Sequence, residues 1–146
     1  MGTHGLMIKN ALCAGILVLS ATLLIGANVA RAQEEEPNCA EPVTQRDLNA
    51  CADIEYDKAD KDLNAAYKQL RSKMSDWDKS ADEESKGAVD ALVAAQRAWV
   101  SFRDANCEVA GFQARGGTME SMLISSCLAD MSTKRAAELR ELSDGY

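Results

Sequence analysis

The sequence predicts an all-α fold: a small disulfide-stapled domain whose long antiparallel helical hairpin, over about 45–75 and 86–110, is closed by a third helix over about 120–142. Three observations carry this. Apolar residues recur in steps of three and four after residue 44, the period of one buried helical face. No glycine or proline interrupts the first helical stretch, and Gly87 and Gly111 bound the second. Two short connections between long amphipathic segments force neighbours to lie antiparallel, and no stretch alternates like a strand.

Residues 1–32 stand apart from the fold, because they have the three-part layout of a secretory signal. His4 and Lys9 give a weakly basic start, ALCAGILVLSATLLIGA (11–27) an apolar centre, and Ala30-Arg31-Ala32 the small residues of a cleavage site after Ala32. Retention as an anchor is the competing reading, since the apolar run sits at the lower edge of spanning length. Cys13 lacks the small residues of a lipoprotein signal before it. Residues 33–43, QEEEPNCAEPV, combine a charge run with two prolines and form an extended leader; 44–146 form the helical domain.

The first helix starts behind Thr44, an N-cap hydroxyl with Asp47 three residues on. Its apolar face runs Leu48, Ala52, Tyr56, Ala59, Leu63, Ala66, Tyr67, Leu70, Met74, giving a helix of roughly 45 Å. SDWDKSADEES (75–85) is the turn, with Ser80 and Ser85 as capping candidates. The second helix carries Ala88, Leu92, Ala95, Trp99, Phe102, Asn106 and Ala110. GFQARGG (111–117) connects it to a third, marked by Ile124, Leu128, Met131, Leu139 and Leu142. Leu63, Tyr67, Trp99 and Phe102 are the expected core anchors.

Polar residues fall on these apolar faces. Gln96, Arg103 and Asn106 lie within about 60° of Trp99 on the helical wheel, Asp60 borders the stripe of the first helix, and Arg135 is in line with that of the third. A partly buried charge is costly unless paired and hydrogen-bonded. The economical arrangement has Asp60 accepting from Arg103, Arg135 or both, with Gln96 adding hydrogen bonds, as a buried network that fixes helix register; a ligand groove is the alternative. Arg97 and Asp104 point to the opposite, solvated side.

Removing the signal takes Lys9 and Arg31, leaving 14 basic against 23 acidic residues, a net charge of −9. Such a surface disfavours nucleic acid and anionic membrane and attracts a basic protein. Cys39, Cys51, Cys107 and Cys127 remain, an even number in an exported domain, so two disulfides are expected. A Cys51–Cys107 bridge is open to an antiparallel hairpin. Both residues lie on the flanks of their helices, however, so Cys39–Cys51 and Cys107–Cys127 are preferred; each local bridge contributes about 3 kcal/mol in the chain-entropy model.

No CxxC pair supports a metal site, and the only histidine, His4, leaves with the signal, which removes Ser-His-Asp and Cys-His catalysis. DIEYDKADKD (53–62) lacks the glycine and terminal glutamate of a calcium loop, and no phosphate cradle appears. No cofactor, metal or enzymatic activity is expected.

Three blocks carry a family likeness: CxxxxTQxDLNxCAxxEYxxADxxLNxxYxxL from Cys39 to Leu70, AQRAWVxFRDxxC from Ala95 to Cys107, and an approximate CLxxMTxxRxxEL from Cys127 to Leu139. Together they resemble the lysozyme inhibitor LprI-like N-terminal domain family over nearly all of the mature chain. In Met131-Ser132-Thr133 the threonine stands one position late. The resemblance implies a periplasmic or secreted helical domain with cysteine bridges, some of whose relatives inhibit lysozyme. A basic lysozyme is then the expected protein partner, blocked by occlusion without turnover, with Arg115, Gly116 and Gly117 as the loop that enters its acidic cleft. The alternatives are an envelope adaptor that holds a partner helix and an acid-stress holdase.

Overall fold

The structure, a computed structural model, describes residues 36–146; the expected signal segment, 1–32, and the first residues of the expected leader lie outside the described residues. Three helices account for most of it: α1 (Gln45–Ser80), α2 (Ala88–Gly111) and α3 (Glu120–Asp144), with a 3-10 turn at Phe112–Ala114. There is no strand among the described residues.

The helix ends follow from local chemistry. Thr44 and Asp47 form a reciprocal capping box: the Thr44 hydroxyl accepts from the Asp47 amide at 3.1 Å, and the Asp47 carboxylate accepts from the Thr44 amide at 3.3 Å. Helix α1 continues past residue 75, because DWDKS holds no breaker; it stops where Ala81 turns extended. Neither Ser80 nor Ser85 caps α2, whose N-terminus has no cap of its own. Asp78, in the last turn of α1, does it instead. Its carboxylate accepts from the amides of Gly87, Ala88 and Val89 at 3.0, 3.0 and 3.1 Å. Gly87 takes a left-handed φ of 115°, which swings those amides toward Asp78 without a Cβ penalty.

The helices run up, down, up. Hydrogen bonds from Asn49 to the Thr118 carbonyl and from Lys73 to the Ser143 carbonyl show that α1 and α3 are parallel, while α2 returns antiparallel to both. The most extensive interface joins α1 to α3, and α2 packs more on α3 than on α1. The antiparallel α1–α2 hairpin is closed by α3 chiefly through α1, and the reason is side-chain size. Helix α3 buries Ser125, Ala129, Ser132, Ala136, Leu139 and Ser143, and α1 buries Ala52, Ala59, Leu63, Ala66, Leu70 and Met74. Small residues at three-four spacing let the two backbones approach closely. The inward face of α2 carries Trp99 and Arg103, whose bulk holds it further off.

The expected α3 face is likewise corrected. Of the anticipated residues only Leu139 is buried; Ile124, Leu128 and Met131 are half-buried and Leu142 is 49% exposed. The core is Leu63, Ala66, Leu70, Met74, Leu92, Ala136 and Leu139, with Tyr67 and Trp99 packed on its edge. Phe102 does not belong to it: the ring is 60% exposed. Helix α2 buries Leu92, Arg103, Cys107 and Gly111, so its inward face is rotated by about 60° from the one centred on Trp99. Gly111 is required there, because a Cβ would sit 2.6 Å from Cγ1 of Ile124. Two disulfides staple the ends: Cys39–Cys51 ties the leader to α1, and Cys107–Cys127 ties α2 to α3.

Candidate binding surface

Asp60, Gln96, Arg103 and Arg135, expected to form one network, fall into two clusters. Arg103, only 6% exposed, donates to Asp60 at 3.3 Å, to Asp104 at 2.9 Å and to the Ser132 hydroxyl at 3.2 Å. Its guanidinium also lies 5.5 Å from the Tyr56 ring centre and 5.4 Å from that of Trp99, within cation–π range. Arg135 does not reach Asp60. It donates to Gln96 at 3.3 Å and to Glu138 at 2.9 Å, and sits 5.8 Å from the Trp99 centre. The Trp99 ring is therefore the element shared by both arginines. Asp104 is exposed, as the wheel places it, and is also the tightest partner of Arg103, because a neighbouring carboxylate can fold back onto the guanidinium edge. Burial works to lower the Arg103 pKa, but the bonds to Asp104 and Asp60 outweigh it and the net shift is upward. Burial likewise pushes the Tyr56 hydroxyl up. Both arginines are paired, which suits a register pin.

The loop after α2 is built differently from a free probe. Arg115 folds back between Glu120 at 3.4 Å and Glu108 at 3.9 Å, over the Phe112 ring at 4.5 Å. The Gly116 amide donates to Glu120 at 2.7 Å, and the Gly117 amide to the Ala114 carbonyl at 2.8 Å. Gly116 has φ 73°, a left-handed turn that suits glycine. These bonds hold the loop against the helices. Between loop and helices lies a notch of about 600 Å³, with Asp104, Glu108 and Glu120 on its walls beside Arg115, and Ile124 and Leu128 at its base. Three carboxylates and one guanidinium line it, with Asp104 also bonded to Arg103 from below, so its walls carry more acidic than basic groups.

The sequence reading missed a third feature. The face of α2 that points away from the bundle is apolar along its whole length: Ala91, Ala95, Ala98, Phe102, Ala105, Val109 and, in the 3-10 turn, Phe112. All seven are exposed, with Phe102, Val109 and Phe112 at 60%, 70% and 57%. The four-three spacing was visible in the sequence, but the inward stripe competed for the same helix.

No group of three metal-ligating side chains occurs among the described residues. No described helix is long and apolar enough to cross a membrane.

Comparison with known proteins agrees with the fold. An uncharacterized protein of Rhizobium meliloti (strain 1021) is 50% identical over 118 residues, which cover 79% of this chain and 85% of that protein. The crystal structure of a DUF1311 family protein from Pseudomonas putida KT2440 is similar with a TM-score of 0.61 and 29% identity, covering 70% of this chain and 97% of the other. A family model described as lysozyme inhibitor LprI matches residues 38–139, from the leader through the last turns of α3. The chain belongs to the lysozyme inhibitor LprI family.

Proposed function

We propose that this protein is an exported, non-catalytic inhibitor that binds a basic lysozyme and occludes its cleft. The observation that carries the reading is the family match across all three helices. Charge supports it: a mature domain of net −9 is steered toward a basic enzyme, and more weakly as salt rises. The two disulfides suit a periplasmic or secreted location after cleavage near Ala32. The loop end of the bundle is the contact region. There Asp104, Glu108 and Glu120 receive basic side chains from the rim of the enzyme. Arg115 exchanges its internal carboxylates for those of the cleft, and Gly116 and Gly117 permit its close approach.

Clearing of a cell-wall suspension by lysozyme tests this. The disulfide-bonded protein is expected to slow clearing at micromolar concentration in low salt and to lose most of its effect at about 0.5 M salt, where the screening length falls to a few ångströms. Charge reversal at the notch, Glu108→Lys with Glu120→Lys, is expected to abolish inhibition. Undiminished clearing at every concentration in low salt would overturn the reading.

A further inference from the structure

We infer that the outward face of α2 is a self-association surface, on which a second copy of the chain docks its own α2 antiparallel. The seam Ala91, Ala95, Ala98, Phe102, Ala105, Val109, Phe112 advances by strict alternation of four and three residues, the repeat of a helix that packs along another helix. Apart from Phe112, one face of whose ring Arg115 covers, it belongs to no internal interface among the described residues, because α2 buries Leu92, Arg103, Cys107 and Gly111 on its other side. An acidic, charged protein that leaves seven aligned apolar positions in water carries a cost that a partner helix removes.

The order of sizes along the seam selects the partner. Alanines fill the N-terminal half, and Phe102, Val109 and Phe112 lie toward the C-terminal half. Parallel pairing would stack alanine on alanine at one end, leaving gaps, and phenylalanine on phenylalanine at the other. Antiparallel pairing about a two-fold axis near residues 103 and 104 sets Ala95 against Phe112 of the second copy, Ala98 against its Val109, and Phe102 against its Ala105. The two-fold repeats these layers, so every layer holds one large side chain and one alanine. The same flank of both helices then meets, bringing each Arg97 within reach of the other copy's Glu108; Arg97 makes no ion pair within the described residues. Ala91 lies beyond the paired stretch, which runs from Ala95 to Phe112 over roughly 26 Å and falls in the class of weak interfaces below about 1,200 Å². Dissociation in the micromolar range follows, against the repulsion of two chains of net −9.

That repulsion gives the association a salt dependence opposite to lysozyme binding: salt strengthens it. Light scattering on the eluting, disulfide-bonded protein tests it. The mass is expected to rise from one protomer toward two between about 1 and 500 µM, the span of a micromolar dissociation constant, and to rise at lower concentration in 0.5 M salt. Phe102→Glu and, separately, Ala98→Glu are expected to hold the mass at one protomer with an unchanged circular dichroism spectrum. Arg97→Glu weakens association and Arg97→Glu with Glu108→Arg restores it. A single-protomer mass at every concentration and salt, or a dimer indifferent to both glutamates, overturns the inference. Failure of the double charge exchange to restore the dimer overturns the antiparallel register. The cell-wall assay reads inhibition separately, so a monomer that inhibits overturns only the present inference.

Discussion

Replacing Arg103 by alanine probes the centre of the bundle. The change removes two buried methylenes, worth roughly 1.6 kcal/mol at 0.8 each. It also removes one hydrogen bond to buried Ser132, about 1 kcal/mol, and two partly desolvated cation–π contacts of about 0.5 kcal/mol each. The carboxylates left behind are not stranded, since the side chains of Asp60 and Asp104 are 38% and 56% exposed and rehydrate. A loss of about 3.5 kcal/mol is therefore expected, toward the low end of what breaking a buried ion pair costs. Asp60→Ala and Asp104→Ala alone should each cost about 1 kcal/mol, because the guanidinium keeps the other acceptor. Together they leave it with only Ser132, so the double variant should exceed the sum by about 1–2 kcal/mol. Urea unfolding with the disulfides intact, followed by tryptophan fluorescence, measures all four. An Arg103→Ala loss below about 0.5 kcal/mol, the range of ordinary surface substitutions, or strict additivity of the two aspartates, would refute a shared buried pin.

Other outcomes follow from particular contacts. The amides of Val89, Ala88 and Gly87 hold the Asp78 carboxyl below the ordinary carboxylate range. A depressed folded-state pKa contributes stability above the unfolded value, near 3.9, that is lost as pH falls through the folded one. Asp78→Ala should thus lower Tm at pH 7, and the gap from the parent protein should close in strong acid; a gap independent of pH would contradict the cap. Ala136→Leu places a large side chain in the close α1–α3 contact, where Ala136 is 0% exposed, and should cost about 1–3 kcal/mol or more by denaturant titration. Phe102→Ala, at an exposed ring, should fall within about 0.5 kcal/mol at concentrations where the chain is monomeric. Cys107→Ser with Cys127→Ser should cost about 3 kcal/mol, with faster amide exchange at the C-terminal end of α2.

Helix α1 was legible because one apolar stripe and no breaker leave a single solution, and Thr44 with Asp47 spell out its cap. Helix α2 was legible as a helix but not in phase. It carries apolar residues on opposite faces, and periodicity alone cannot say which faces inward, so the wheel centred on Trp99 puts Phe102 in the core although its ring is exposed. In α3 the buried stripe is half serine. Ser125, Ser132 and Ser143 look polar in any hydropathy reading, yet their small volume is what the close α1–α3 contact requires. The Asp78 cap acts across a turn, nine residues from the Gly87 amide, beyond the local pattern of capping motifs. Burial of Arg103 could be read from its place beside Trp99, whereas its bond to Asp104 depends on a side-chain fold-back that the wheel does not represent.

The bundle has two unlike ends. At one, Cys39 is tied to Cys51, and Asn49 holds the Thr118 carbonyl beside the Arg115 loop. At the other, Tyr146 packs edge-on against Trp77 with ring centres 5.6 Å apart. Helix α1 separates them by roughly 50 Å. For anyone attaching the chain to a sensor surface, a bead or a fusion partner, the choice of terminus therefore decides what is measured. Immobilised near Glu36, the loop would face the support and be shielded; held by Tyr146, it would stand clear and meet a partner in solution.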